Sequence, residues 1–177
     1  ETSTAVVWYR KQFQMPVSAR GKRVYVEFEG ARQAAEVFLN GQRLGISENG
    51  ITAFGFDLTP WLKEGKNLME VRTDNSWDYQ EQATGSKYQW NTRAFNVNYG
   101  GLPKNVRLHV CDDVYQTLPL FSNLGTTGVY IYGKNYDIPG RKATICVESQ
   151  VRNETDRAVT RCLNVVVHEK NGTELCR

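Results

Sequence analysis

The chain has no apolar run of membrane-spanning length anywhere in its 177 residues, which excludes a transmembrane helix. Concentrated charge is missing too. Its 22 Lys and Arg against 19 Asp and Glu leave a net charge of +3 with no basic cluster. Phosphate recognition needs clustered positive charge, so nucleic acid is not an expected partner. Histidine is scarce: His109 and His168 alternate within strand-like runs and have no neighbour suited to catalysis or metal binding. Cys111, Cys146, Cys162 and Cys176 lack the CxxC spacing of zinc sites and redox pairs. No metal and no cofactor is expected. One bridge between Cys146 and Cys162 stays open as an alternative to buried or edge free thiols. Glu1-Thr2-Ser3-Thr4 has neither the basic start nor the apolar core of a leader. Gly100-Gly101 precedes a strand instead of opening a helix, so it is not an anion cradle.

What the chain does have is a succession of strand signals. Val6 to Phe13 reads as a strand ended by Met15-Pro16. Arg23 to Glu29 alternates apolar and charged residues, the period of a half-buried strand. Glu36 to Leu39 runs into Asn40-Gly41 and continues as Gln42 to Gly45, the pattern of a tight hairpin whose two turn residues accept positive φ. Phe54 to Leu58 follows. Thr59-Pro60-Trp61-Leu62 reads as one helical turn with Thr59 as N-cap and Pro60 at the first helical position. Leu68 to Arg72 and Val106 to Val110 complete the set, and Trp8 and Trp61 read as core packing residues. Short strands at regular spacing with almost no helix argue for an all-β sandwich.

A long polar, aromatic-rich loop separates the last two strands. It begins at Asp74-Asn75-Ser76, holds Trp77, Tyr79, Tyr88, Trp90 and Phe95 among amide, carboxylate and guanidinium groups, and returns through Tyr99-Gly100-Gly101. Flat rings suit the C–H faces of a sugar, and the polar groups suit its hydroxyls. Loops of this length in compact domains are usually functional or disordered. Asp74 and Asn75 are also able to bond their own backbone and start a turn without any ligand.

A second module begins near Asp112-Asp113, with strand-like runs at 118–120, 129–132, 143–151 and 159–169 and polar turns at 153–157 and 171–173. The pattern is that of an immunoglobulin-like sandwich, which needs about 100 residues, so the module is expected to be truncated. The division expected is a jelly-roll domain over 1–113 and an immunoglobulin-like domain over 114–177.

The ordered set Trp8-Tyr9-Arg10-Lys11, Val24 to Gly30, Glu36 to Gly41, Phe56 to Leu62, Asn67 to Ser76, Tyr99 to Leu102 and Asn105 to Leu108 resembles the amino-terminal part of glycoside hydrolase family 2, the β-galactosidases, β-glucuronidases and β-mannosidases. That resemblance implies a galactose-binding-like jelly roll and the start of the next sandwich. It also implies a (β/α)₈ barrel elsewhere, with two glutamates about 5 Å apart acting as acid/base and nucleophile in a retaining mechanism. No catalytic residue is expected in this chain: Asn153-Glu154 mimics the acid/base pair but lies in a turn of the second module. The partners implied are a β-glycoside, with β-galactoside favoured, and the barrel itself, a homo-oligomer being left open. The long loop is the segment placed to meet substrate, through Trp77, Tyr79 and Trp90 as stacking rings and Asn91, Arg93 and Asn98 as polar contacts. Local packing for Trp90 and an internal salt bridge for Arg93 stand beside those roles. Two other readings are a free-standing carbohydrate-binding module and a purely structural sandwich.

Overall fold

The structure, a computed structural model, describes residues 5–87 and 99–177. It divides into two compact units, Glu1–Asp112 with Leu120–Thr126, and Asp113–Pro119 with Thr127–Arg177. The first unit is a sandwich of two antiparallel sheets. One has the order β1-β6-β3-β4, built from Val6–Gln14, Lys66–Asp74, Ala34–Leu39 and Gln42–Ser47. The other has the order β5-β2-β7, built from Phe54–Asp57, Arg23–Phe28 and Val106–Cys111.

Alternation along the strands sets the core. Val24, Val26 and Phe28 of β2 point inward with Phe54 and Phe56 of β5, and meet Ala35, Val37 and Leu39 of β3 and Met69 and Val71 of β6. Each fully buried Val, Leu or Phe contributes about 1.5–3 kcal/mol relative to exposure. Outward-facing residues pair across the ladders instead: Arg107 with Glu29, Arg10 with Glu70, Arg43 with Glu36. His109 Nε2 lies 2.7 Å from Glu27 Oε2 on the same outer face, a satisfied histidine.

The Asn40-Gly41 turn forms with φ of 54° and 84°, joining β3 to β4 in the register expected of a two-residue hairpin. At the β4 and β5 edges the turn Phe121–Leu124 closes the sandwich, with Leu120 wholly buried and Asn123 Nδ2 donating to Ile46 O. Gly55 permits this: a Cβ there would lie 2.7 Å from Leu120 Cδ1 and 2.6 Å from Val26 O.

Four local expectations are corrected. Trp8 and Trp61 are not core residues. Both are nearly half exposed, and Trp8 lies on the outer face of its sheet, its ring centroid 5.7 Å from that of Phe38. Thr59 is not the cap of its short turn: its hydroxyl oxygen accepts from Val24 N, and Asp57 Oδ1 accepts from Thr59 N. The 118–120 segment is not a strand, because Leu120 turns into the first unit's core ahead of the Phe121–Leu124 turn. Of the 159–169 run, only Val167–His168 is extended and paired. Alternation alone does not make a strand where no ladder partner takes up the backbone.

The second unit consists of three two-stranded ladders. β8 (Val114–Gln116) pairs with β11 (Val151–Asn153), β9 (Val129–Asp137) with β10 (Lys142–Ser149), and β12 (Val167–His168) with β13 (Glu174–Cys176). Cys146 and Cys162 are free thiols, as are Cys111 and Cys176. His168 Nδ1 lies 3.1 Å from Gly172 O. Glu154 begins the turn after β11, with Oε1 accepting from the Tyr115 hydroxyl at 3.4 Å, and Asn153 Oδ1 accepts from Thr155 N.

Candidate functional site

The site lies where β6 leaves one sheet and the chain returns to the other. Asp74 is paired on both sides, opposite Val6 of β1 and Ala34 of β3. Its Oδ1 accepts from Ser76 N at 3.0 Å and from the Ser76 hydroxyl at 2.6 Å, the self-bonded turn that its sequence allows. Its Oδ2 accepts from Arg72 Nη2 at 3.0 Å. Asn75 is buried, and its Oδ1 accepts from Ala5 N at 2.9 Å.

The returning end is held against the outgoing one by glycine. A Cβ on Gly100 would lie 2.6 Å from Asn75 Cγ, and one on Gly101 would meet the Tyr9 hydroxyl. Gly101 also has φ of +91°, a conformation that other residues rarely adopt. It exchanges backbone bonds with Arg32 in both directions, Arg32 N to Gly101 O at 2.8 Å and Gly101 N to Arg32 O at 2.6 Å. The Gly-Gly pair is therefore a close-approach device that pins both ends of the loop to one corner of the sandwich.

Two of the six expected sugar contacts fall within the described residues. Trp77 is half-buried directly after the Asp74 turn. Tyr79 is also half-buried, and its hydroxyl donates to Glu48 Oε1 at 2.5 Å, an oxygen that also accepts from Gln82 N at 2.7 Å. Burial, then the hydrogen bond to Glu48 and that carboxylate's charge, push the Tyr79 phenol well above the usual tyrosine range. Its hydroxyl thus anchors the loop to the segment after β4, and only its ring is left for a ligand. Trp90, Asn91, Arg93 and Asn98 lie outside the described residues. Sequence reasoning passed over Glu48 and Arg32. Glu48 lies between the hairpin and the next strand with no motif to single it out, and Arg32 sits between two strands with nothing to mark it as buried.

A sequence profile described as the glycosyl hydrolase 2 galactose-binding domain-like region matches residues 2–121. The chain belongs to glycoside hydrolase family 2. Among its family 2 relatives, a β-glucuronidase of Formosa agariphila is 42% identical over 150 residues, covering 84% of this chain and 15% of the relative. A β-galactosidase of Bacteroides ovatus is 32% identical over 165 residues, covering 88% and 18%. Among solved structures, a family 2 β-glucuronidase superposes with a TM-score of 0.75 at 39% identity, over 86% of this chain and 16% of that one. A β-glycosidase from Bacteroides vulgatus gives 0.64 at 28% identity, over 86% and 17%. The chain therefore spans less than a fifth of the length of these relatives. It corresponds to the family's non-catalytic, galactose-binding-like front region, and the jelly-roll sandwich expected from sequence is the fold that its structural neighbours share.

Proposed function

We propose that this chain positions the substrate of a β-glycoside hydrolase whose catalytic barrel is supplied by polypeptide outside these 177 residues. The observation that carries this reading is the corner at Asp74-Asn75 and Gly100-Gly101. Both ends of the long aromatic loop are pinned there by close backbone approach, which presents the loop from a rigid scaffold, the arrangement on which binding residues are most often carried. Trp77, the Tyr79 ring and Trp90 are the stacking surfaces, and Asn91, Arg93 and Asn98 the polar contacts. Relatives named for β-glucuronides and for β-galactosides stand side by side, so the reading extends to β-glycosides as a class. Bond cleavage belongs to the barrel's paired carboxylates.

A structural reading is favoured for one residue. The Tyr79 hydroxyl is committed to Glu48, so its main role is to hold the loop's first turn.

In a protein that joins this chain to the barrel, Trp90→Ala is expected to raise KM about tenfold with kcat changed much less, the loss of one stacked ring. An unchanged KM with altered assembly would contradict substrate positioning and assign the loop to protein contacts.

A further inference from the structure

We propose that Asn171 is a self-modifying site: its side-chain amide is lost spontaneously through a cyclic imide formed with Gly172, and the change opens the last hairpin of the second unit.

The chemistry belongs to the Asn-Gly step. The backbone nitrogen of the glycine attacks the asparagine Cγ, a C–N bond forms, and the Cγ–Nδ2 bond breaks. Ammonia leaves, taking with it the proton that the backbone nitrogen gives up. Water then opens the five-membered ring at either carbonyl, giving aspartate or its β-linked isomer with no change of oxidation state. Glycine favours the attack because no Cβ crowds its nitrogen and its backbone is the most mobile. The chain has three such steps, Asn40-Gly41, Asn49-Gly50 and Asn171-Gly172. They share the covalent chemistry and differ in what the fold allows.

At Asn40 the amide is locked. Its Nδ2 donates to Trp61 O and Asn67 Oδ1 at 2.9 and 2.8 Å, and its Oδ1 accepts from Leu68 N at 3.0 Å. Turning Cγ toward Gly41 N breaks these bonds, in a hairpin whose β3 is also paired with β6. At Asn49 the Oδ1 accepts from Ile51 N and Thr52 N. Gly50 is buried against the Arg32 stem, where a Cβ would lie 3.4 Å from Arg32 Cγ, so the nucleophile is enclosed.

Asn171 has neither restraint. Residues 168–177 are exposed, and β12 meets β13 at two positions only, Val167↔Cys176 and His168↔Glu174, with an irregularity between them. A lone two-stranded hairpin is marginal in water, so this one opens at little cost. Closed, it holds the nucleophile by one bond, from Gly172 N to Glu169 O at 2.9 Å, and opening releases it. The bond from Thr173 N to Asn171 Oδ1, 2.9 Å, spans two residues and does not depend on the ladder. It sets a donor on the oxygen that gains charge when Cγ is attacked.

The product does not suit the hairpin. Asn171 Nδ2 donates to Glu169 Oε2 at 3.2 Å, and a carboxylate in its place faces Glu169 with like charge. The β-linked isomer also adds a methylene to the backbone inside the turn. Ammonia is lost, so the change runs one way.

The test ages this chain in heavy-oxygen water at neutral and mildly alkaline pH. Each Asn-Gly step is then mapped by mass spectrometry with fragmentation that separates aspartate from its isomer. Asn171 is expected to take up label at least about tenfold faster than Asn40 or Asn49, because reaction through an opened state follows the population of that state. Both isomers are expected, and faster conversion at the higher pH. Gly172→Ala is expected to slow conversion severalfold, although a side chain at a φ of +90° strains and loosens the hairpin. Loosening alone would speed the reaction, so slowing assigns the step to attack by that nitrogen. No label at Asn171, equal rates at the three steps, or earlier conversion of Asn40 or Asn49 would overturn the proposal. Aspartate without its isomer would overturn the ring. Unchanged amide exchange across β12 and β13 after conversion would overturn the opening of the hairpin.

Discussion

Phe28→Ala is expected to lower the stability of the first unit by about 3–5 kcal/mol. Phe28 and Phe54 stack with ring centroids 4.8 Å apart and planes 6° from parallel, both wholly buried. Phe54 in turn meets Phe56 edge-on at 6.0 Å. Removing the Phe28 ring takes its own transfer free energy, the stacking with Phe54, and the support of the next ring in the chain. Collapse into the space is limited because β2 is clamped on both sides, by β5 at Phe28↔Phe54 and by β7 at Phe28↔Val106. Against a typical domain stability of about 5–15 kcal/mol, the loss is a large fraction of the whole. Urea denaturation followed by tryptophan fluorescence measures it. A shift under about 1 kcal/mol would show that the two sheets are not joined through this aromatic layer.

Asn67→Ala is expected to cost about 2–4 kcal/mol, almost as much, although no apolar surface is lost. Asn67 is 1% exposed at the start of β6 and uses both ends of its amide. Its Oδ1 accepts from Lys63 N and from Asn40 Nδ2 at 2.9 and 2.8 Å, and its Nδ2 donates to Lys63 O and Gly65 O at 3.0 and 3.2 Å. Asn40 completes the link by donating to Trp61 O and accepting from Leu68 N. Two asparagines thus tie the β3–β4 hairpin, the 59–61 turn and the entry of β6 into one unit. Alanine takes the partner from a backbone donor and two carbonyls; Lys63 and Gly65 are themselves exposed, so water offsets part of the cost, which is about 1–3 kcal/mol for a fully buried orphan. Asn67→Asp discriminates the cause. It keeps the acceptor and loses the donor, setting a negative charge against Lys63 O and Gly65 O, so it is expected to be at least as damaging as alanine. If aspartate were tolerated, the donor half of the network would be dispensable.

The contrast between those two residues shows what was legible in the sequence. Phe28 and its strand were readable because alternation states which residues face inward, and the Asn-Gly turn was readable because only certain residues accept positive φ. The order of the matching pieces also pointed to the right family and to its front region. Asn67 was not legible in that way: three of its four bonds go to the backbone of Lys63 and Gly65 just before it, and the fourth comes from Asn40, a segment that only the fold brings near. Trp8 was misplaced for a related reason. Its strand was legible, but size and apolarity do not say which face of an edge strand is covered, and it packs outward on Phe38. The 159–169 run failed because strand propensity without a pairing partner has no ladder to join. At the site, the loop and its anchors Asp74 and Asn75 were readable as a place. Glu48 and Arg32 were not, because their importance comes from burial and from which neighbours are already engaged.

Calorimetric titration of this chain with galactose, glucuronic acid, mannose and short β-linked oligosaccharides tests the central claim most directly. Substrate positioning from the pinned loop predicts saturable heat with at least one of these sugars, lost in the Trp77→Ala and Trp90→Ala variants while their thermal unfolding stays cooperative. Absence of heat with every sugar, from a cooperatively folded sample, would contradict it and leave the sandwich as scaffold.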